Sequence, residues 1–240
     1  LLPGDHRSAT TMASAIRTDH WYVLAGIDVV RPDGAAVVVL GNSIADGRGS
    51  GTNKQNRWPD NLSRRLQADA RTRNVAVLNQ GMGGNCVLRF CIGPAALERL
   101  DRDVLAQRGA RWLVVSIGVN DIGGATSPQA ATRVVQDLVA AYEQIVTRAR
   151  ARGLRVYGAT ILPFGGSSYD SPDREAARQA VNARIRGGLF DAVIDLDAAM
   201  RDPAQPARLR PDVDGGDHLH PNEHGYRVMA DAIDPTLFTR

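Results

Sequence analysis

The 240-residue sequence predicts a three-layer α/β/α domain built on a mostly parallel sheet of about five strands. Two observations predict it. Short apolar, β-rich runs alternate along the chain with longer stretches of helical periodicity, which is the order that builds βαβ units. The run VVVLGNSIADG (37–47) holds four apolar residues in succession and then stops at a glycine, as a strand covered on both faces does at the carboxyl edge of a sheet.

The runs read as strands are WYVLAGIDVV, AAVVVLG, NVAVLN, RWLVVSIG, LRVYGATILP and FDAVIDL. Between them lie the helical patterns WPDNLSRRLQADART, PAALERLDRDVLAQRG, SPQAATRVVQDLVAAYEQIVTRARARG, SPDREAARQAVNARIRGG and HPNEHGYRVMADAID. The third of these carries clear punctuation: Ser127 as N-cap, Pro128 in the first turn and Gly153 as stop. WYVLAGIDVV is separated from AAVVVLG only by the turn RPDG, so the pair reads as a hairpin or as an edge strand feeding the core. The expected organisation is an N-terminal extension over residues 1–34 and one catalytic domain over 35–240. The polar, aperiodic start of the chain and its lack of an initiator Met point to a processed or trimmed product, with another domain or other sequence ahead of it.

Composition narrows the function. A formal charge of +3 is mildly basic, but Lys54 is the single lysine and the arginines are spread along the helices, so there is no dense basic stripe of the kind that nucleic acid requires. No apolar run approaches the ~20 residues that span a bilayer. The two cysteines, Cys86 and Cys91 in CVLRFC, either pair locally in an oxidising compartment or serve as two small apolar residues. Nothing in the chain sets an oligomeric state.

In a parallel sheet, the segments that follow each strand share one edge, so residues distant in sequence meet in one cleft. Here those segments are Asn42-Ser43, the turn from Gln80 to Asn85, and Val119-Asn120-Asp121, with GGDHLHPNEHGY ahead of the last helix. Acyl transfer needs a nucleophile, a base touching it, a group orienting the base, and donors aimed at the developing oxyanion. Each has a candidate. Ser43 is the nucleophile, His220 the base, and Asp217 the acceptor for the imidazole Nδ1–H from three residues upstream in the same loop. The N–H of Ser43, the N–H of a glycine in the Gly81–Gly84 turn, and the Asn120 amide make up the oxyanion hole.

The blocks GNSIADG, NQGMGGN, GVND and DHLHP, in that order over roughly residues 35–233, resemble those of the SGNH hydrolases, also called GDSL esterases or lipases. The resemblance implies a flavodoxin-like fold and a serine hydrolase. It matches Ser43 to the nucleophile, Gly84 and Asn120 to the oxyanion glycine and asparagine, and Asp217 with His220 to the Asp-x-x-His pair. It implies no cofactor. The family usually has Gly-Asp-Ser in the first block where this chain has Gly-Asn-Ser; Asn42 keeps the size and the accepting oxygen but not the charge. The departure bears on rate and pH profile more than on reaction class.

The plain alternatives are specific. Ser43 alone would be an N-cap, Gly83-Gly84 a tight turn, and Asn120-Asp121 a helix start, with Asp121 structural. His218, His220 and His224 with Asp217 and Glu223 invite a metal reading, but the spacing is not that of a zinc site; His218 reads as a rim residue and His224 as exposed on the last helix. Arg89, Phe90 and the Cys86–Cys91 segment either line the substrate pocket or pack at its rim. The loop PFGGSSYDSPD (163–173) is either a cleft wall or a solvated connector. With few aromatics and no apolar lid, the expected substrate is a small-molecule or carbohydrate ester with a short acyl group, such as acetate. A lysophospholipase or thioesterase with a longer acyl site is the alternative within enzymes, and a weakly catalytic glycan-binding module, prompted by Asn42, the alternative outside them. A secreted, bacterial setting is the expected location.

Overall fold

The computed structural model describes residues 4–6, 8–17 and 26–239. Five parallel strands, β1 (Ala35–Gly41), β2 (Val75–Gly81), β3 (Ala110–Ser116), β4 (Arg155–Ala159) and β5 (Ala192–Ile194), form one sheet in the order β2-β1-β3-β4-β5. The central strands are largely apolar because both faces are covered, and the period of two sorts their side chains; β2, at the sheet edge, carries Asn79 and Gln80 and is mostly half-buried. Val38, Leu40, Leu113, Val115 and Val156 enter one core; Val37, Val39, Trp112, Val114 and Tyr157 enter the other.

The first core is closed by α5 (Pro128–Ala151) and α6 (Pro172–Arg184), which bury Leu138, Tyr142, Ile145 and Val181. The second is closed by α2 (Trp58–Ala68) and α8 (Glu223–Asp231), which bury Trp58, Leu62, Leu66, Tyr226 and Met229. Capping follows the sequence signals. The Ser127 side chain accepts from the Ala130 N–H and Pro128 opens α5, while Gly153, at φ +76°, follows its last turn. Ser171 and Asn222 cap α6 and α8 in the same way. PAALERLDRDVLAQRG does not make one uniform helix: α3 (Ala96–Leu100) runs into a π-helical turn at Asp101–Leu105. Three short helices follow strands: α1 (Ser43–Asp46), α4 (Val119–Gly123) and α7 (Leu196–Met200).

The expected N-terminal strand is not formed where it can be seen. Residues 26–34 contain no strand, and Ile27, Val29 and Val30 are exposed; residues 21–25 of that run lie outside the described residues. The reason is the sheet order. A hairpin partner would have to pair with β1, but β2 and β3 occupy both of its edges along almost its full length. The turn at Arg31–Gly34 is formed, with the Gly34 N–H on the Arg31 carbonyl and Arg31 paired with Asp33.

The end of β2 and the end of α1 touch closely. A Cβ at Gly81 would lie 2.3 Å from the Asp46 nitrogen and 2.7 Å from the Ala45 carbonyl carbon, and the neighbouring Asn79 donates to the Ala45 carbonyl at 2.7 Å. Because the obstacle is backbone, no rotamer change can relieve it. Gly81→Ala is therefore expected to destabilise the fold by about 1–3 kcal/mol, read as a lower urea midpoint at unchanged slope.

Candidate active site

Ser43 is the first residue of α1, directly after β1. Asn42 precedes it in an extended conformation, and its Oδ1 accepts the Ile44 N–H at 3.0 Å as the helix N-cap. An amide oxygen performs this capping as well as a carboxylate would, which accounts structurally for the Gly-Asn-Ser block. The exposure of Ser43, Asn120 and His220 is 9% each, so their polar atoms sit largely out of bulk water.

The structure brings Ser43, His220 and Asp217 into one hydrogen-bonded chain. Ser43 Oγ lies 2.8 Å from His220 Nε2, and His220 Nδ1 lies 2.7 Å from Asp217 Oδ2. The other carboxylate oxygen, Oδ1, accepts the backbone N–H groups of His220 at 2.8 Å and Leu219 at 3.1 Å. Partial burial pushes the Asp217 carboxyl up, but the hydrogen bonds from the His220 N–H, the imidazole and the Leu219 N–H outweigh it and hold the pKa at about 2. The loop itself is anchored: the Gly215 N–H donates to the His220 carbonyl, and Asn222 Nδ2 donates to the Asp212 and Asp214 carbonyls. Tyr226 of α8 ties the loop after α1 to this region through its hydroxyl on the Arg48 carbonyl.

Gly84 and Asn120 arrive from the next two strands. Gly84 has φ +67°, a conformation that favours glycine, and Ile92 covers its α-carbon so closely that a Cβ would lie 2.6 Å from Ile92 Cδ1. Asn120 lies in the first turn of α4. Its Nδ2 donates to the Asn85 carbonyl at 2.8 Å and its Oδ1 accepts the Tyr169 hydroxyl at 3.0 Å. Asp121 plays a bracing part, accepting the Val87 and Leu88 N–H groups at 2.9 and 3.1 Å.

Two participants were not readable from the sequence. Tyr169 comes from the loop of residues 163–173, which is therefore not a plain solvated connector; Phe164 of the same loop is fully buried and its ring stands edge-on to that of Tyr169. The signal available was the single tyrosine in an otherwise Gly/Ser-rich loop. The other is Arg99 of α3, 3% exposed, which donates to the Gly41 carbonyl, the Gln80 carbonyl, Asn85 Oδ1 and Asp103.

Cys86 and Cys91 form a disulfide. The loop they close stands at the rim: Arg89, Phe90 and Ile92 are exposed, Phe90 and Ile92 being the exposed large apolar side chains of residues 35–239. The other histidines of the C-terminal loop turn elsewhere. His218, at φ +59°, places Nδ1 2.5 Å from Asp214, and His224 lies 3.4 Å from Asp212. Among the described residues, no group of three or more His, Cys, Asp or Glu side chains is placed to hold a metal ion, and no helix is long and apolar enough to cross a membrane.

Residues 39–228 match the model of the GDSL-like lipase/acylhydrolase family. No curated protein matches the chain. Among solved structures, an acetylxylan esterase from Geobacillus stearothermophilus superposes with a TM-score of 0.61 at 21% identity, covering 83% of this chain and 93% of that one. A G-D-S-L family protein from Desulfitobacterium hafniense DCB-2 gives 0.61 at 18% identity, over 83% and 97%. A GDSL-like lipase from Bacteroides thetaiotaomicron VPI-5482 gives 0.58 at 19%, over 82% and 84%. These structures share the fold, and the family match spans most of the chain: it belongs to the GDSL-like lipase/acylhydrolase family and is a carboxylic ester hydrolase.

Proposed function

We propose that the protein is a serine esterase that cleaves short-chain carboxylic esters, acetyl esters of carbohydrates among them, through an acyl-enzyme on Ser43. The observation that carries this reading is the unbroken hydrogen-bonded chain from Ser43 Oγ through His220 to Asp217, at 2.8 and 2.7 Å.

In this mechanism Ser43 Oγ attacks the ester carbonyl carbon while its proton passes to His220 Nε2. The carbonyl oxygen becomes an oxyanion that accepts from the Ser43 N–H, the Gly84 N–H and the Asn120 Nδ2–H not engaged by Asn85. The C–O bond to the alcohol then breaks, and His220 returns its proton to the leaving oxygen. Water repeats the cycle on the acyl-enzyme, giving up its proton to His220, and the carboxylic acid departs as Ser43 recovers its hydrogen. Asp217 holds the imidazole by Nδ1 and offsets the positive charge it carries between the two transfers.

Two observations support a short acyl group on a polar alcohol. Ile92, beside Gly84, and Phe90 of the same disulfide-closed loop stand exposed instead of enclosing a tunnel, and one of the structurally similar proteins is an acetylxylan esterase. We also propose an extracytoplasmic location, supported by the Cys86–Cys91 disulfide, because such bonds persist in oxidising compartments.

Intact-mass spectrometry after incubation with a fluorophosphonate should show one adduct on the wild type and none on Ser43→Ala, whose kcat on p-nitrophenyl acetate should fall by about 10⁴ or more. Wild-type turnover by Ser43→Ala would overturn the reading. On a p-nitrophenyl ester series, kcat/KM should be highest at acetate to butyrate; a steady rise beyond octanoate would instead favour a lysophospholipase or thioesterase. Asp217 also makes stability depend on pH. Its carboxyl sits lower in the folded protein than the ordinary value near 3.8, so its contribution is complete above pH 4 and is lost as pH falls toward about 2. The urea-unfolding difference between wild type and Asp217→Asn should accordingly shrink between pH 5 and pH 2.5.

A further inference from the structure

We infer that Tyr169 is a positioning residue for ester hydrolysis: its hydroxyl fixes the orientation of the Asn120 carboxamide, so that nitrogen and not oxygen faces the ester carbonyl. The inference rests on the reading of Asn120 as an oxyanion donor and adds to it the group that makes it one.

A carboxamide is nearly symmetric in shape. Rotated by half a turn, it presents an acceptor where a donor is needed, and an oxygen facing a developing oxyanion repels it. Something must therefore break the symmetry. The backbone of Asn85 does part of this, since its carbonyl can only accept and so selects Nδ2 at 2.8 Å. The Tyr169 hydroxyl, 3.0 Å from Asn120 Oδ1, does the rest by donating to the oxygen. With Oδ1 held by Tyr169 and one Nδ2 hydrogen held by Asn85, the second Nδ2 hydrogen is left for substrate. In the flipped state an oxygen meets the Asn85 carbonyl and that bond is lost, while the Tyr169 hydroxyl would have to turn from donor to acceptor.

The placement of Tyr169 is specific. Its ring lies so close to α4 that a Cβ at Gly123 would come within 2.4–2.5 Å of three ring atoms, so the glycine three residues after Asn120 leaves the space that the ring fills. Phe164 supports the ring from within the loop, and the Tyr169 N–H donates to Ser167 Oγ. Arg174 closes the loop from α6, donating to the carbonyls of Tyr169 and of Ala125, just beyond α4. Half-burial raises the pKa of the phenol, against the opposing influence of Arg174 and Arg89, so the hydroxyl keeps the proton it donates.

The test is a double-mutant cycle in the full chain, with Tyr169→Phe, Asn120→Ala and the double variant assayed on p-nitrophenyl acetate. Tyr169→Phe keeps the ring and removes only the hydroxyl. Its kcat should fall about tenfold or more, with KM within about twofold and the urea midpoint nearly unchanged, because the lost interaction is made in the transition state. Asn120→Ala should fall by about 10²–10³ in kcat. The cycle decides: in the Asn120→Ala background, removing the Tyr169 hydroxyl should cost nothing further. Equal losses in both backgrounds, or no loss in the wild-type background, would overturn the inference. Unchanged activity of Asn120→Ala would instead strike at the oxyanion reading itself, and an active Ser43→Ala at the whole mechanism, so the failures can be told apart.

Discussion

The site depends on one buried cation. Arg99 projects from α3 to the carboxyl edge of the sheet and there satisfies the carbonyls of Gly41 and Gln80, at the ends of β1 and β2, together with Asn85 Oδ1. Burying a guanidinium costs several kcal/mol unless its donors are met, and burial does press the pKa of Arg99 down; Asp103, 3.0 Å away, opposes this. What makes the arrangement favourable is that the ends of β1 and β2 each turn a carbonyl toward the guanidinium, the Gly41 one taking the Met82 N–H as well. A planar, forked donor suits several such acceptors at once, and a lysine would not. The same contacts set the position of Ser43, two residues beyond Gly41, and of Gly84, one residue before Asn85.

From Arg99 the polar links continue without a gap. Asn85 takes Arg99 on its side-chain oxygen, gives its Nδ2–H to Pro94, and presents its carbonyl to Asn120; Asn120 in turn accepts from Tyr169. Segments that follow β1, β2, β3 and β4 are thereby bound into one network. Networks of this kind are stiff, because loosening one member leaves another buried and unpaired. That stiffness is what a donor set aimed at a developing charge requires, since such donors help most when they need not reorganise during the reaction.

The parts legible in the sequence are those fixed by local rules or by short blocks. The five strands show as largely apolar runs, α5 shows its caps, and Asp217 and His220 sit three apart in one turn, where their contact needs no knowledge of the rest of the chain. Arg99 was illegible for the opposite reason. In ERLDRD it reads as one more arginine on a solvated helix face, and its partners lie 14, 19 and 58 residues away. Tyr169 reaches Asn120 across 49 residues. Over residues 26–34 the expected strand is absent for a topological reason: the local pattern suits a hairpin, but only the sheet order reveals that β1 has no edge left to offer.

Carboxylates near the site divide by environment. Asp46 and Asp121 are both raised by burial, against the backbone N–H groups they hold, Gly83 in one case and Val87 with Leu88 in the other. They brace the turn that carries Gly84 and the disulfide-closed loop behind it. Asp217 alone touches the imidazole, and it is the one of the three whose pKa is driven down, to about 2. Negative charge is therefore most secure beside His220, where the proposed mechanism generates an imidazolium. It is also absent from position 42, where a neutral amide caps α1 next to the nucleophile. An aspartate there would add a fixed charge one residue from Ser43, where the proposed mechanism develops an oxyanion. The capping bond needs only an accepting oxygen, so an amide keeps the local structure, and in the proposed mechanism it spares the reacting centre a repulsion.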